Sequence, residues 1–405
     1  MGTVFIRRDD KIEALQGIRV LDFSRVLAGP FCSMILGDLG AEVIKVEAPG
    51  GSDETRKWGP PFKNEVSAYY LCANRNKKSV TIDLKSIKGK EIIQKLVQNS
   101  DVVIQNFKTG TMERLGLSYE DLSKINPGII YCSITSFGET GPYKSYPGYD
   151  FIIQAMSGLM SITGTKESGP QKVGVAMTDV LTGLYACIGI ESALLERKQS
   201  GKGQKIDLSL YESAVSSLVN IASNYLMSGK IPERLGNHHA NIVPYQTFRT
   251  KDGEMVIAVG NDRQFQALCN IIHQSSLAQQ PKFRTNPDRV QNREELTAIL
   301  QEAFEKETTS YWQEQCHEHN IPVGPIQNMD EIRKDPQLEA RHFFQSIQHP
   351  IAGEMDILGS PLHLSRTPPR VKKHPPEAGE HNEEILQSLG LSESEIQSYK
   401  NNQWI

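Results

Sequence analysis

Residues 17–47 read GIRVLDFSRVLAGPFCSMILGDLGAEVIKVE, and this stretch predicts a strand, a helix and a second strand in succession. Ile18–Phe23 and Val43–Val46 are short apolar runs with the length and β-branched content of buried strands. Phe31–Leu39 between them is predicted to be helical, because Pro30 suits the first turn of a helix. A strand–helix–strand unit of this kind favours an α/β fold with a mainly parallel sheet.

The same alternation continues on the C-terminal side as far as about residue 210. Strands are predicted over 101–107, 129–134 and 206–210, and helices over 87–99, 149–159, 178–196 and 212–227. A hairpin over 245–259 and helices over 262–273, 292–307 and 309–319 then indicate a smaller α+β region. The prolines of 345–380 predict an extended segment, and a short helix over 382–389 is expected to close the chain.

Composition excludes several classes of protein. The chain has 405 residues, with 44 Lys and Arg against 48 Asp and Glu, and its net charge of −4 argues against a general nucleic-acid or membrane-surface binder. The apolar stretch Val180–Leu195 contains Thr182 and Glu191, so it predicts a buried helix and no membrane span. Six scattered cysteines without a C-x-x-C, and a start at residues 1–10 without the pattern of a signal peptide, predict a cytoplasmic enzyme with reduced thiols.

Several well-known nucleotide, hydrolase and metal motifs are absent. Arg25–Pro30 follows the first strand in the place where a dinucleotide-binding fold carries G-x-G-x-x-G, so an NAD enzyme is disfavoured. Neither a P-loop nor a G-x-S-x-G elbow occurs. Cys316–His319 falls on a predicted helix where neighbouring side chains diverge, and His238–His239 favours a loop that lines a pocket. No metal site is predicted.

Asp179 is the most suggestive single residue, because it stands at the head of a strongly apolar predicted helix. One interpretation is a helix N-terminal carboxylate, which the helix dipole favours. The other is a carboxylate in a site of low dielectric constant, available as a nucleophile or a base. Position alone leaves both open.

Basic and aromatic residues occur where an open α/β sheet binds its ligands, at the carboxyl ends of strands. Asn106, Phe107 and Lys108 lie at the end of one predicted strand, Arg114 lies in the next turn, and Lys85 follows another strand. Lys and Arg suit phosphate groups, and Phe107 could stack on a base. Together with Asp179, these residues predict an enzyme that acts on a phosphorylated, nucleotide-like ligand.

Taken in order, a series of sequence blocks resembles the class III CoA-transferases, the family of formyl-CoA transferase and carnitine CoA-transferase. The matching blocks are Gly17–Phe23, Val26–Pro30, Gly40–Glu47, Asp53–Arg56, Asn106–Phe107, Arg114–Gly116, Gly141–Pro142, Tyr149–Asp150, Met177–Asp179, Gly201–Lys205, Arg234–Asn237 and Val323–Pro325. The resemblance runs from about residue 15 to the C-terminus.

The resemblance implies a specific architecture. Each chain would form a ring from a Rossmann-like large domain and a smaller α+β domain, and two rings would interlock as a homodimer. The predicted boundaries are then 1–200 for the N-terminal part of the large domain and 201–224 for a linker strand and helix. Residues 225–325 would form the small domain, and 326–405 a linker and a C-terminal part that returns to the large domain.

The resemblance also implies residue roles. Asp179 matches the aspartate that attacks an acyl-CoA thioester and passes through anhydride and aspartyl-CoA intermediates. CoA would be a substrate, and no further cofactor is expected. The positions expected to bind CoA are Val26, Leu27, Ala28, Ile82, Lys85, Asn106, Phe107, Lys108 and Arg114. Those expected around the acyl group are Trp58, Tyr69, Tyr149, Asp150, Gly236, Asn237 and His238.

Three departures bear on the substrate. Leu27 stands where formyl-CoA transferases carry Gln, Ala48 replaces an Arg, and Pro147 replaces a Lys, which argues against formyl-CoA and oxalate as the pair. The sequence is most similar to transferases that move CoA from succinyl-CoA to dicarboxylates such as glutarate or oxalate.

Two alternatives remain. An α-methylacyl-CoA racemase of the same fold needs an acid/base pair, but no His precedes His238. A non-catalytic CoA-binding protein would not need Asp179.

Overall fold

The computed structural model describes residues 13–405, so the stretch of residues 1–10 that entered the localisation prediction lies outside the described residues. The chain divides into two compact units. The first takes the residues up to Leu159 together with Val173–Leu218 and Gln337–Ile405. The second takes Met160–Lys172 and Val219–Pro336. Each unit is described by itself.

The strands are short and spread along the whole described chain. They are β1 Arg19–Asp22, β2 Glu42–Glu47, β3 Phe62–Lys63, β4 Val66–Ser67, β5 Lys77–Thr81, β6 Val102–Gln105, β7 Ile130–Thr135, β8 Lys205–Ser209, β9 Tyr245–Arg249, β10 Glu254–Ala258, β11 Val323–Pro325, β12 Phe344–His349 and β13 Gly353–Leu358.

Helices connect and cover these strands. They are α1 Ala28–Asp38, α2 Ala68–Leu71, α3 Ile87–Gln98, α4 Thr111–Leu115, α5 Tyr119–Ile125, α6 Asp150–Met156, α7 Leu159–Ile162, α8 Met177–Ser200, α9 Leu210–Ser216, α10 Val219–Ser228, α11 Asp262–Ile271, α12 Asn286–Gln291, α13 Arg293–Phe304, α14 Thr309–Glu318, α15 Met329–Arg333, α16 Pro336–Ala340, α17 Asn382–Ser388 and α18 Glu393–Asn401. Short 3₁₀ turns occur at Glu54–Lys57 and Ser275–Gln279.

The first unit is built on a six-stranded parallel sheet, which confirms the predicted α/β class. The strand order is β5-β2-β1-β6-β7-β8, and every neighbouring pair is parallel. The order reverses direction between β1 and β6, the type of switch point at which open α/β sheets bind ligands beyond the strands' carboxyl ends. The sheet therefore brings the segment after β1 next to the segment after β6.

The strands are buried on both faces, as the unbroken apolar runs of β1 and β6 predict. One face carries a core that includes Leu21, Ile44 and Val103 and is closed by α3, α5, α17 and α18. The other face carries a core that includes Val20, Val43 and Ile104, covered by α1 and α8. The sequence prediction of α8 as a buried helix is confirmed in part, because one of its faces lies in this second core while Leu184, Ile188 and Leu195 are exposed.

By length and composition, α8 is the one helix of residues 13–405 that could cross a membrane. This test is also passed by core helices of globular domains, and Ala186, Ile190 and Leu194 of α8 pack in the core beneath the sheet. The length and composition of α8 therefore do not identify it as a membrane-spanning helix.

The C-terminal segment closes one edge of the sheet. Edge strand β5 would otherwise present unpaired backbone groups, a common starting point for aggregation. The Ser79 N–H donates to His381 Nδ1 at 3.2 Å, and the Thr81 N–H donates to Asn382 Oδ1 at 2.8 Å. The Asp83 N–H donates to the Trp404 carbonyl at 2.8 Å. Residues 379–404 thus bind to the edge of the sheet in the first unit.

The second unit has a small antiparallel sheet in the order β11-β10-β9, covered by α11, α13 and α14. The predicted hairpin is present, with Glu254 opposite Arg249 and Ala258 opposite Tyr245. Phe248, Phe304 and Trp312 pack ring against ring in its core.

The division of the chain differs from the predicted boundaries, since Met160–Lys172 belongs to the second unit and not to the large domain. Residues 219–224 and 326–336, predicted outside the small domain, belong to the second unit as well. The Arg234 guanidinium donates to the carbonyls of Thr165 and Ser161, both at 3.2 Å. The Gly236 N–H donates to the Gly164 carbonyl at 2.9 Å. Because these bonds join residues about seventy positions apart, no local pattern could reveal them.

The predicted single helix over 212–227 is wrong, because the chain forms α9 and α10 with a break between Ser216 and Val219. The hydroxyls of Ser216 and Ser217 donate to the carbonyls of Ser213 and Ala214 at 2.8 and 2.6 Å. Serine hydroxyls that bond to preceding carbonyls weaken and bend helices. Val219 then takes a positive φ of 29°, which ends the helical path.

The prediction of a mostly extended segment over 345–380 missed the antiparallel hairpin of β12 and β13. Its turn is held by His349, whose Nδ1 accepts from the N–H groups of Ile351 and Ala352 at 3.2 and 3.0 Å. The expectation that a helix over 382–389 closes the chain is also wrong, because α18 follows it. Ser392 caps α18 in a box with Glu395.

Replacing Arg289 by methionine is expected to destabilise the second unit by about 3 kcal/mol. The fully buried guanidinium donates to the Val243 and Phe283 carbonyls at 2.7 and 3.0 Å, and it pairs with Asp262 at 2.8 Å. Methionine keeps the volume but leaves both carbonyls without their donor. Arg284→Met at a nearby exposed position is the control, expected within about 0.5 kcal/mol of wild type. Urea unfolding measures both, and equal midpoints for the two variants would contradict the role of Arg289.

Candidate functional site

Two loops at the switch point of the parallel sheet are tied together by an asparagine. Asn106 follows β6, and its Oδ1 accepts the N–H of Arg25 at 2.9 Å while its Nδ2 donates to the Arg25 carbonyl at 2.7 Å. The Arg25 guanidinium carbon lies 5.3 Å from the centroid of the Phe107 ring. The predicted ligand loops therefore do converge at the carboxyl ends of β1 and β6.

Asp179 lies in the first turn of α8, beside the N-terminus of α1. The Ala28 backbone N–H lies near its carboxylate and acts to lower the pKa of Asp179. The close packing of α1 on α8 depends on Gly183, one turn after Asp179, because a Cβ at this position would lie 2.8 Å from the Ala28 carbonyl oxygen. The glycine lets the two helices approach, and this approach brings the Ala28 N–H to the carboxylate.

The pKa of Asp179 is raised to about 7, mainly because burial penalises the charged form and secondly because Asp150 repels it. The Ala28 N–H acts in the opposite direction and stabilises the charge. A carboxylate with a raised pKa is a better nucleophile when ionised, and perturbed pKa values are concentrated at functional sites. Both observations favour the second interpretation of Asp179, a reactive carboxylate, over a plain helix N-terminal one.

Asp150 is fixed in place at the start of α6. Its Oδ1 accepts from the N–H and hydroxyl of Thr178 at 2.9 and 2.8 Å, and its Oδ2 accepts from Gln154 Nε2 at 2.8 Å. The fully buried Gln154 also accepts the Val173 N–H at 2.9 Å. Asp150 thus holds Thr178, the residue next to Asp179, in place.

An aromatic pair lies on another side of the reactive group. The rings of Trp58 and Tyr69 meet edge to face with their centroids 5.0 Å apart. The pKa of Tyr69 is raised to about 12, first by burial and then by the negative charges of Asp179, Cys72 and Asp150. Tyr69 therefore keeps its proton at neutral pH and presents a hydroxyl donor in the surroundings of Asp179.

A cavity of about 220 Å³ connects Asp179 to the loops at the switch point. Of the predicted residues, those on its wall are Val26, Ala28, Asn106, Phe107, Lys108, Tyr149 and Asp179. Arg25, Lys144 and Tyr146 line it as well. The cavity thus joins one reactive carboxylate to several cations and aromatic rings, the groups that a phosphorylated thioester would need.

A second cavity of about 320 Å³ shares Arg25 and Phe107 with the first. Its wall contains Ile82, Lys85 and Arg114, three further predicted residues, together with Ala48. The two cavities adjoin at Arg25 and Phe107, with Asp179 on the wall of the first and the exposed cations Lys85 and Arg114 on the wall of the second. An elongated ligand with a reactive end and an anionic end fits this arrangement.

Some predicted residues lie elsewhere. The Leu27 side chain is buried and lines neither cavity, although its backbone belongs to the loop. Gly236, Asn237 and His238 belong to the second unit, where the Asn237 amide donates to Thr247 Oγ1 at 3.2 Å, and their role at the acyl group stays a prediction. Among residues 13–405, no group of three or more His, Cys, Asp or Glu side chains could hold a metal ion.

Sequence reasoning missed a set of buried polar residues behind the loop after β1. Lys45 in β2 and Lys77 in β5 are fully buried, and they pair with Asp53 at 2.8 Å and Asp22 at 3.1 Å. A lysine inside the apolar strand Glu42–Glu47 was a visible signal, because lysine is almost never fully buried unless it is paired. Gln154, which orients Asp150, gave no comparable signal.

Comparison with known proteins reveals extensive similarity. The family model described as CoA-transferase family III matches residues 15–382. Succinyl-CoA:glutarate CoA-transferase of Mus musculus is 45% identical over 380 residues, which are 94% of this chain and 87% of the mouse protein. Succinate–glutarate CoA-transferase of Agrobacterium fabrum is 43% identical over 381 residues, 93% of this chain and 95% of that protein. The crystal structure of a CAIB/BAIF family protein from Brucella suis superposes with a TM-score of 0.82 at 43% identity, covering 93% of this chain and 99% of that one.

Proposed function

Because this chain belongs to CoA-transferase family III, we propose that it is an enzyme that moves CoA from succinyl-CoA to glutarate or a similar small dicarboxylate. The observation that carries the proposal is the position of Asp179, a carboxylate with a raised pKa on a cavity wall. This cavity shares Arg25 and Phe107 with a second cavity, which Lys85 and Arg114 line. Two relatives at 43–45% identity bear names with succinate or succinyl-CoA and glutarate, which supports the choice of substrates.

In this proposal, CoA binds across the two adjoining cavities. Its phosphates lie near the exposed Lys85, Lys108 and Arg114, since flexible cations suit phosphate groups. The adenine lies in the second cavity, near Ile82 and Phe107. The thioester then reaches Asp179 past Val26 and Ala28, the two loop residues on the wall of the first cavity.

The first half of the reaction makes a covalent enzyme. The Asp179 carboxylate attacks the thioester carbonyl of succinyl-CoA, so that a C–O bond forms, the C–S bond breaks and CoA leaves as a thiolate. The thiolate then attacks the aspartyl carbonyl of the mixed anhydride. Succinate leaves, and Asp179 carries CoA as a thioester.

The second half reverses these steps with the acceptor. A glutarate carboxylate attacks the aspartyl-CoA carbonyl and releases the thiolate, which leaves a glutaryl anhydride on Asp179. The thiolate attacks the glutaryl carbonyl, so glutaryl-CoA forms and Asp179 returns as a carboxylate. No net proton or water is consumed, and exclusion of water preserves the anhydride.

Each attack passes through an oxyanion that needs a preoriented donor. The Ala28 N–H supplies one at the carboxyl group that is attacked in half of the steps. The Tyr69 hydroxyl, protonated at neutral pH because its pKa is raised to about 12, is a second donor near the reacting atoms. CoA enters as substrate, and the steps call for no other cofactor. We further propose an interlocked homodimer and a cytoplasmic location.

The rate is expected to depend on the ionisation of Asp179. With a pKa of about 7, the carboxylate is progressively protonated as pH falls, so kcat/KM should fall about tenfold for each pH unit below this value. Asp150→Asn removes a neighbouring negative charge, keeps an oxygen for Thr178, and should move this acid limb to lower pH. Glu196→Gln at the far end of α8 is the control, with an unmoved limb. An acid limb that stays in place in Asp150→Asn would contradict the electrostatic coupling.

An acceptor panel tests the function. The protein is incubated with succinyl-CoA and either glutarate, oxalate, a longer dicarboxylate or a monocarboxylate, and acyl-CoA masses are followed over time. Glutaryl-CoA formed at the highest kcat/KM supports the proposal. Transfer to another acid alone refutes the choice of glutarate. Exchange of the α-proton of a branched acyl-CoA without any transfer would favour the racemase instead.

A further inference from the structure

The segment between β1 and α1 rests on two fully buried ion pairs. Lys45 Nζ lies 2.8 Å from Asp53 Oδ2, and Lys77 Nζ lies 3.1 Å from Asp22 Oδ2. Transfer of such charges from water costs several kcal/mol per ion, so a buried pair is weak evidence for stability alone. The contacts that each charged group makes with the backbone indicate another role.

The Lys45–Asp53 pair contacts the backbone that leads into Val26. The Lys45 ammonium donates to the Ser24 carbonyl at 2.9 Å, and Asp53 Oδ1 accepts the Val26 N–H at 3.3 Å. The second pair borders the same segment, because Lys77 donates to the Pro30 carbonyl at 3.0 Å and Asp22 accepts the Ser24 N–H at 2.9 Å. The backbone from Ser24 to Pro30 is therefore held by buried charges at several points.

Val26 itself has an unfavourable backbone conformation. Its φ is +69°, in the left-handed region that a β-branched residue rarely adopts. Such a conformation costs about 1–3 kcal/mol and persists only where the surroundings enforce it. Asp53 holds the Val26 N–H, and Asn106 holds the Arg25 carbonyl that precedes it. Lys45 holds the Ser24 carbonyl one residue earlier. Two residues further along the chain is Ala28, which lines the same cavity wall as Val26 and Asp179.

We propose that Lys45 and Asp53 are a positioning pair, which holds Val26 in its left-handed conformation and thereby keeps the Ala28 N–H at the reacting carboxyl group of Asp179. This role rests on the proposed transferase function, because it assigns the pair to the steps on Asp179. A donor displaced by about 1 Å costs on the order of 10²-fold in rate. The rigid loop therefore contributes to turnover more than to binding of CoA.

The test removes both charges together, so that no unpaired charge is left buried. Lys45→Met/Asp53→Asn keeps an oxygen that caps Thr55, and Lys45→Met/Asp53→Leu removes this as well. The matched control is Arg75→Met/Asp38→Leu, which deletes another buried pair, 2.6 Å apart, that makes none of the hydrogen bonds to Ser24, Val26 or Pro30. For each variant, kcat and KM for succinyl-CoA, the pH profile and the thermal midpoint are measured.

The expected result is a fall in kcat of about tenfold for the Asn variant and on the order of 10²-fold for the Leu variant, with KM changed less than about threefold. The acid limb moves to higher pH, because Asp179 loses the N–H that stabilises its charge while Asp150 and Tyr69 still face it. The control pair lowers the thermal midpoint but leaves kcat and the acid limb in place. If the Leu variant does not fold, the kcat and the acid limb of the Asn variant alone decide whether the pair has the positioning role.

The proposal is overturned if both variants keep kcat within about threefold of wild type, or if the control pair lowers kcat equally. A crystal structure of the Asn variant separates this outcome from failure of the proposed function. If the wild type transfers CoA to no carboxylate, the function is refuted, and the variant structure still decides the positioning role. In the crystal structure of the Asn variant, a negative φ at Val26 with the Ala28 N–H turned away from Asp179 supports the positioning role. An unchanged loop in this structure refutes the positioning role.

Discussion

Asp179→Ala is expected to lower kcat for CoA transfer by at least about 10⁴-fold, because the proposed steps place both covalent intermediates on this side chain. The variant should still bind succinyl-CoA with a similar affinity, since the cations of the second cavity are untouched. Rapid quenching and intact-mass measurement check the chemistry directly. Wild-type enzyme mixed with succinyl-CoA should gain the mass of CoA less one water, and Asp179→Ala should gain none.

Two outcomes would contradict the role of Asp179. Transfer at a rate within about tenfold of wild type would show that another group or direct attack of the acceptor does the chemistry. A CoA adduct that persists in Asp179→Ala would place the covalent bond on a different residue. Glu196→Gln, an exposed carboxylate near the end of the same helix, serves as control and should leave both rate and adduct unchanged.

Gly183→Ala is expected to have a large effect, although it adds a single methyl group. The new Cβ would lie 2.8 Å from the Ala28 carbonyl oxygen and 3.1 Å from Phe31 Cδ1. A backbone oxygen cannot rotate away, so α1 must shift relative to α8 and carry the Ala28 N–H away from Asp179. We expect a loss of about 2 kcal/mol in the free energy of unfolding and a fall in kcat of roughly 10–10²-fold.

Gly189→Ala in the same helix separates packing from helix propensity. Its Cβ would meet only Ile206 side-chain carbons at 3.5 Å, an ordinary van der Waals contact. Alanine should therefore stabilise α8 by up to about 1 kcal/mol and leave kcat unchanged. Denaturant unfolding and steady-state kinetics of both variants check this contrast. Equal kinetics for the two variants would show that the close approach of α1 to α8 does not matter for the chemistry.

The parallel sheet could be predicted from the sequence because its strands are buried on both faces. Val20, Val103 and Ile130 lie in unbroken branched runs that few other structures tolerate. The break between α9 and α10 could not be predicted from the sequence, because the apolar pattern continues through it. The break depends on the hydroxyls of Ser216 and Ser217, which bond to preceding carbonyls. The hairpin of β12 and β13 was missed because the prolines around it favoured the prediction of an extended segment.

The candidate site was predictable as a set of residues but not as a mechanism. The position of Asp179 at the head of a helix left two interpretations, and the choice depends on Ala28 and Asp150, which are distant in sequence. The resemblance to a family supplied the expected nucleophile, but it did not supply the reason for a strained Val26. That reason depends on Lys45 and Asp53, and only the three-dimensional contacts reveal it.

The closure of edge strand β5 by the C-terminal segment has a consequence for biosynthesis. The acceptors that Ser79 and Thr81 require are 302 and 301 residues further along the chain. At about 5–20 residues per second, a ribosome needs on the order of 15–60 s to make them. During this time the nascent protein carries an open sheet edge, the kind of surface that recruits other strands. Messages that stop before residue 379 should therefore yield insoluble products, even though every residue that lines the two cavities has already been translated.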